Sequence, residues 1–83
     1  MKAYVLVQKD PTGGPISPDL MAVPGVVCAE ELRGPYDAIA FTRSDPSGRP
    51  VERILAEIRR VPGVVRALAA PLVRSRADDA EAA

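Results

Sequence analysis

The chain has no histidine and no tryptophan, and its one cysteine is Cys28. The absence of histidine excludes a histidine general base and a histidine-ligated metal site. A single cysteine cannot form an intramolecular disulfide, which fits a reducing compartment. The aromatic residues are only Tyr4, Tyr36 and Phe41. The interior must therefore be built mainly from alanine, valine and leucine, each of which buries a modest apolar area.

The chain also lacks an excess of charge of either sign. Eleven basic residues balance eleven acidic ones, and no predicted face gathers the lysines and arginines, so the electrostatic footprint of a nucleic-acid-binding protein is missing. We expect no direct nucleic acid binding. No run of about 18 apolar residues could span a membrane, and the N-terminus has no signal-peptide layout. We therefore expect a cytoplasmic protein without membrane contact.

One segment is present twice. Residues 23–29 (VPGVVCA) return 38 positions later as residues 61–67 (VPGVVRA), identical at six of seven positions. An internal repeat indicates that one supersecondary unit occurs twice. Each copy predicts a helix end, a tight turn and the start of a strand, because proline stops a helix and glycine allows the conformation at its exit.

The rest of the chain supplies the remaining strands and helices of these two units. Turn-forming clusters of Gly, Pro, Asp and Ser separate stretches with strand composition from stretches with helical spacing. We expect Ser17 to cap the first helix, with Pro18 at its first position. The predicted elements are a strand at 1–8, a helix at 18–23, strands at 26–33 and 38–43, a helix at 51–61 and a strand at 64–73. The domain spans 1–74, and the polar tail at 75–83 is predicted to be disordered.

This order predicts the α+β, ferredoxin-like βαββαβ fold, with both helices on one face of a four-stranded antiparallel sheet. The strands have apolar residues in both registers, as in Tyr4 and Leu6 against Val5 and Val7. Two helices can cover only one face of a sheet. The other face would be an apolar patch of several hundred Å², which predicts a homodimer formed sheet to sheet about a two-fold axis.

Two motifs resemble the effector-binding domain of the leucine-responsive regulatory protein (Lrp/AsnC) family. They are residues 33–39 (RGPYDAI) and residues 60–66 (RVPGVVR). The family pattern is Gly-x-Tyr-Asp, an amphipathic helix, Pro-Gly-Val and a strand carrying Thr-x-Thr. The resemblance covers roughly residues 2–73.

The resemblance implies a regulator of amino acid metabolism module, which forms dimeric α+β barrels that can assemble into octamers. Such domains bind amino acids or related metabolites at subunit interfaces. Full-length members add an N-terminal helix-turn-helix domain, whereas here Met1 already begins the first strand. The resemblance therefore implies a stand-alone effector domain in transcription regulation, which could also associate with a full-length Lrp/AsnC regulator.

The resemblance also implies ligand-binding residues. Gly34, Pro35, Tyr36 and Asp37 match the hairpin turn beside the family's ligand pocket. A carboxylate there suits the ammonium group of an amino acid, and backbone N–H groups suit its carboxylate. The Thr-x-Thr positions fall on Ala67 and Ala69, which have no hydroxyl groups. A drier pocket, a different ligand and no ligand therefore all stay open.

Each of these residues also has a purely structural interpretation. Gly34 and Asp37 are typical turn residues, and Tyr36 can pack at an interface. Cys28 is predicted to lie on the same strand face as Val26, as a buried and inert thiol. Glu30 and Glu31, as strand neighbours, point to opposite faces and cannot form an acid/base pair.

Two other functions share this architecture. A small dimeric α+β barrel enzyme, such as a monooxygenase or isomerase, would need a roomy pocket with polar or aromatic catalytic groups. The strands here are dominated by alanine instead, so we expect no enzyme activity, no catalytic residue and no cofactor. An ACT-type amino-acid-binding domain would differ mainly by joining its sheets side by side. Fold alone does not separate these functions.

Overall fold

Strands and helices follow each other in the predicted order in the computed structural model, which describes residues 2–44 and 50–71. The elements are β1 (Lys2–Lys9), α1 (Ser17–Met21), β2 (Val26–Glu31), β3 (Ala38–Arg43), α2 (Val51–Arg59) and β4 (Val64–Pro71). The predicted tail at 75–83 and the predicted end of the last strand at 72–73 lie outside the described residues. Within the described parts, neither helix has the length and hydropathy needed to cross a membrane.

The four strands form one antiparallel sheet in the order β2-β3-β1-β4. The two central strands, β1 and β3, therefore come from different halves of the chain, and the helices connect the strands across one face. This is the ferredoxin-like arrangement, so the predicted fold class is confirmed.

The core lies between the sheet and the two helices. Leu20 of α1 and Ile54 and Ile58 of α2 are fully buried there. The sheet meets them with small side chains, for example Ala38 and Ala40. Alanine at these positions lets the helices approach the sheet closely, so short aliphatic side chains fill the space without aromatic residues.

The sequence repeat is also a structural repeat. Val26 N–H donates to the Val23 carbonyl at 3.1 Å, and 38 positions later Val64 N–H donates to the Val61 carbonyl at the same distance. Each bond closes the turn that leads from a helix into the following strand. The two Pro-Gly turns are therefore the helix exits that the sequence predicted.

Each repeated glycine packs against the helix region of the other half. Gly25 has φ +98° and faces Ile54 of α2, and Gly63 has φ +96° and faces Ile16, just before α1. Ile16 and Ile54 are themselves 38 positions apart. The two halves therefore interlock through equivalent contacts, although the contact at Gly25 is much tighter.

The start of α1 differs from the prediction. Ser17 does not cap the helix: the N-cap is Ile16, which makes no side-chain capping bond. Instead, one carboxylate oxygen of Glu31 accepts the N–H groups of Ile16 at 3.0 Å and Ser17 at 2.6 Å. A residue at the end of β2 thus satisfies backbone donors that a helix N-terminus leaves without partners.

The prediction of a buried Cys28 was wrong. An irregularity between Val26 and Cys28 shifts the register, so Val26 pairs with Thr42 whereas Cys28 pairs with Phe41. Since Thr42 and Phe41 are neighbours that point to opposite faces, Val26 and Cys28 do too. Cys28 is consequently exposed on the face without helices.

Candidate functional site

The turn between β2 and β3 contains four of the predicted ligand-binding residues. Gly34 has φ +123°, a conformation that residues with a side chain rarely adopt, and a Cβ atom there would meet no atom within 4 Å. Glycine is therefore needed here for its backbone freedom and not for a close approach. Pro35 is exposed, whereas Tyr36 and Asp37 are half-buried.

This turn is firmly attached to the end of β1. Asp37 N–H donates to the Val7 carbonyl at 2.8 Å, and Asp37 Oδ2 accepts the Lys9 N–H at 2.8 Å. The Gln8 side chain adds a bond from Nε2 to the Pro35 carbonyl at 2.8 Å. One oxygen of the Asp37 carboxylate thus has a structural role, which gives the turn a defined position beside β1.

The bond from Lys9 extends the pairing of β1 with β3. The regular pairing of these two strands ends at Val7 and Ala38. The N–H of Lys9 points to the same side of β1 as the Val7 carbonyl but lies beyond this pairing, and a backbone donor left without a partner is costly when it is buried. Asp37 provides that partner with its side chain.

Ala67 and Ala69 lie on the opposite side of β1, on the face covered by the helices. Ala67 pairs with Val7 and Ala69 with Val5. Ala67 is 2% exposed, and its carbonyl accepts a bond from Arg59 Nη2 at 3.1 Å. Ala67 and the turn are therefore at the same end of β1 but two strand spacings apart, roughly 10 Å.

Within one subunit these six residues thus form two groups. Gly34, Pro35, Tyr36 and Asp37 are together in the turn, and the two alanines are in the core between β4 and the helices. Among the residues that the structure describes, no three Cys, Asp or Glu side chains come close enough to hold a metal ion.

The second candidate surface is the sheet face without helices, called here the open face. Its centre consists of Tyr4 and Leu6 of β1 and Ile39 and Phe41 of β3, which the strand pairing places in two adjacent rows. All four are half-buried. The rings of Tyr4 and Phe41 contact each other, with centroids 4.0 Å apart and planes inclined by 60°.

Apolar side chains continue to both edges of the open face. Leu68 of β4 pairs with Leu6 and is 39% exposed, and Cys28 of β2 extends the row of Phe41. Val27, next to Cys28, is 58% exposed. The face is therefore apolar across all four strands.

Sequence reasoning missed the residues that position the turn and α1. Gln8 and Lys9 are 27 and 28 positions from their partners, and Glu31 is 14 and 15 positions from the two N–H groups it binds. No spacing rule relates residues so far apart. Arg59 lies on the exposed side of α2 and donates from Nη2 to the Ala67 carbonyl of β4.

Comparisons with known proteins agree with the fold. Two solved structures are similar: FFRP-DM1, with a TM-score of 0.73 and 22% identity, and hypothetical protein PHS023 from Pyrococcus horikoshii, with a TM-score of 0.66 and 25% identity. Each similarity covers 87% of this chain, together with 97% of FFRP-DM1 and 90% of the Pyrococcus protein. No protein-family model and no curated protein matches the sequence.

Proposed function

We propose that this chain is a regulatory effector domain of the Lrp/AsnC type, without enzyme activity. It forms a homodimer through the open face and binds an amino acid or related small metabolite at a subunit interface beside Gly34, Pro35, Tyr36 and Asp37. The fold supports this proposal, because FFRP denotes a feast/famine regulatory protein of the Lrp family. The Gly-x-Tyr-Asp and Pro-Gly-Val motifs support it independently.

The observation that carries the proposal is the open face. Its apolar side chains span all four strands, and such a contiguous patch is larger than soluble monomers usually expose. A second copy of the chain is a suitable partner, since the face would meet an equally apolar face about a two-fold axis. A net charge of zero means that no overall repulsion opposes association.

The size of the chain supports the same partner. A domain of 83 residues buries only about 60 to 65% of the surface of its unfolded chain, so its own core supplies modest stability. Burial of the central side chains of the open face would add about 25 cal/mol per Å² of apolar surface removed from water. Dimerisation therefore also stabilises the fold. Further association into octamers, or with a full-length Lrp/AsnC regulator, would use other surfaces.

The chemistry of the turn suits an amino acid. Oδ2 of Asp37 is bound to Lys9, which leaves Oδ1 to accept an ammonium group. Ala67 and Ala69 bring no hydroxyl groups, and Ala67 is buried. Any surface that they contribute to the ligand pocket is apolar, so we expect the ligand to be an amino acid with an apolar side chain.

Dimerisation is tested by multi-angle light scattering over a range of concentrations. Wild-type protein should have twice the mass of the chain, and Leu6→Glu should reduce it to one chain, because a charge at the centre of the face would be buried without a partner. Val27→Glu, at the edge of the face, is the matched control and should weaken the dimer less. A wild-type monomer at all concentrations would refute the dimer.

Ligand binding is tested by a thermal-shift screen of the twenty amino acids. At least one should raise the melting temperature, and Tyr36→Ala should reduce that increase. Tyr36 makes no hydrogen bond among the described residues of its own subunit, so its removal should leave the fold intact. Thr12→Ala, in the exposed loop after β1, is the control. If the wild-type dimer responds to none of the twenty, ligand binding is refuted and only the proposed dimer remains.

A further inference from the structure

The two ends of the open face carry different charges. At one end, Lys2 of β1 pairs directly with Arg43 of β3. Both are exposed, and within residues 2–44 and 50–71 neither side chain has a hydrogen-bond or ion-pair partner. Two neighbouring cations on paired strands repel each other, and an acidic group opposite them would relieve this repulsion.

The acidic groups of the open face are at the other end of the sheet, on β3 and β2. Asp37 directly precedes β3, so it lies at the end of that strand opposite to Arg43. Glu30 of β2 pairs with Ile39, one row nearer the centre. The last side chain of β1 on the open face is the uncharged Gln8, since Lys9 follows it and bonds through Nζ to the Asp10 and Gly13 carbonyls. Two cations are also at this end: Arg66 of the edge strand β4 pairs with Gln8, and the exposed Arg33 precedes the turn.

When the strands of the two facing sheets are roughly aligned, the two-fold axis of the homodimer lies in one of two directions. An axis parallel to the strands places like ends together, so that Lys2 and Arg43 of both subunits form a cluster of four cations. An axis perpendicular to the strands places the beginning of each strand opposite its own end in the partner. Arg43 then lies opposite Asp37 of the partner subunit, and Lys2 lies opposite the partner subunit's Gln8.

The open face has room for this contact at its cationic end. A shallow cavity of about 110 Å³ is lined by Lys2, Val27, Phe41, Thr42 and Arg43. Lys2 and Arg43 bring positive charge to this cavity, and Val27 and Phe41 add apolar surface. The Asp37 carboxylate of the partner subunit would therefore meet both a space and a complementary charge there.

We infer that the dimer has the perpendicular arrangement, and that Arg43 of one subunit lies beside the Gly34–Asp37 turn of the other and binds the ligand's carboxylate there. This inference rests on the proposed function. Asp37 can accept the ammonium group of an α-amino acid, and Arg43 of the partner subunit adds a cation for its carboxylate to the one that Arg33, just before the turn, supplies. Arginine supplies two parallel N–H donors in the geometry that a carboxylate requires. The ligand site is then complete only in the dimer.

The parallel arrangement has one favourable feature, because it would place Arg66 near Glu30 of the partner subunit. This makes Arg66 an informative control. In the perpendicular arrangement Arg43→Gln removes an attraction and Arg66→Gln changes little. In the parallel arrangement Arg43→Gln relieves the repulsion within the cation cluster, whereas Arg66→Gln removes an attraction.

The test is the dimer dissociation constant of both variants, measured by analytical ultracentrifugation at low salt. Arg43→Gln should raise it about tenfold, since two symmetry-related contacts are lost. Arg66→Gln should change it less than threefold, and Arg43→Lys should restore most of the affinity. The effect of Arg43→Gln should fade in 1 M NaCl, where charges are screened. A tighter dimer for Arg43→Gln, or no change, would overturn the inference.

The ligand role is tested at concentrations where Arg43→Gln is still dimeric. The thermal shift caused by the amino acid that stabilises wild type should fall at least twofold, and an unchanged shift would overturn the role of Arg43. The possible failures are distinct. A wild-type monomer would refute the proposed dimer itself, whereas a wild-type dimer that Arg43→Gln tightens would refute only the arrangement inferred here.

Discussion

At the scale of residues, single side chains form hydrogen bonds between segments that are distant in the chain, and Glu31 is the clearest example. Its carboxylate takes the place of the missing N-cap side chain of α1. Although partial burial acts to raise its pKa, hydrogen bonds from Ser17 and Ile16 outweigh this and hold the pKa of Glu31 below its ordinary value of 4.5. A carboxylate near a helix N-terminus is also favoured by the helix dipole.

Glu31→Gln should lower the free energy of unfolding by about 1 kcal/mol at pH 7, the usual contribution of a helix cap. Because the folded pKa is depressed, the contribution of wild-type Glu31 is fully present above the unfolded pKa and is lost as pH falls through the folded pKa. The difference between the two proteins in urea denaturation should therefore shrink below about pH 4.5. A difference independent of pH would contradict a charged cap.

The two repeated glycines provide a comparison within one molecule. A Cβ atom at Gly25 would lie 2.5 Å from Cδ1 and 2.8 Å from Cγ1 of the buried Ile54, whereas at Gly63 its nearest neighbour would be Ile16 Cδ1 at 3.8 Å. Both glycines have positive φ, so alanine is strained at either position.

Gly25→Ala should therefore lower the free energy of unfolding by about 2 to 4 kcal/mol, the sum of backbone strain and overpacking. Gly63→Ala has only the strain and should cost about 1 to 2 kcal/mol. Urea denaturation of both variants measures the difference. Equal losses would show that the contact between Gly25 and Ile54 relaxes without cost.

At the scale of elements, the sheet depends on contacts between segments that are distant in the chain. The β2–β3 turn is attached to β1 by three bonds, and Asp37 takes part in two of them. The turn and β1 therefore form one unit, although nearly 30 residues separate them. The rigidity of this unit bears directly on the proposed ligand site.

Asp37→Ala should expose the Lys9 amide to exchange. A charged acceptor contributes about 1.5 to 3 kcal/mol through a hydrogen bond of this kind, so protection of this amide should fall about tenfold or more. Hydrogen exchange measured by NMR reports it directly. Asp10→Ala is the control, because the Asp10 side chain bonds only to Thr12, within its own loop. Unchanged protection at Lys9 would exclude the structural role of Asp37.

At the scale of the whole molecule, the two faces of the sheet differ, because helices cover one face and leave the open face uncovered. The helices bury the centre of one face of the sheet, and the other face retains aromatic and aliphatic side chains across four strands. Cys28 lies on this face and is a natural probe of it. Its thiol should be accessible in a monomer and covered in a sheet-to-sheet dimer.

Modification of Cys28 by a thiol reagent should therefore slow about tenfold or more as the protein concentration rises through the dissociation constant. In Leu6→Glu the rate should stay fast at every concentration. Stopped-flow absorbance with Ellman's reagent measures both. Cys28→Ser, which has no thiol, gives the background. A rate independent of concentration in a protein shown to be dimeric would place the interface elsewhere.

The amino-acid sequence by itself determined the elements and their order. Pro-Gly turns end helices through local sterics, and the helical spacing of Val51, Ile54 and Ile58 identifies α2 without any tertiary information. The duplicated segment then predicted two equivalent halves, and hence the fold. These inferences succeeded because each depends on residues close together in the chain.

Only the tertiary structure decided how those elements are joined. The irregularity that turned Cys28 outward, the capping of α1 by Glu31 and the attachment of Asp37 to Lys9 all depend on pairing between distant strands. Backbone donors that the end of a strand pairing or a helix start leaves without partners take whichever acceptor the packed chain brings near. Which acceptor that is follows from the register of the sheet, a property that no local stretch of sequence contains.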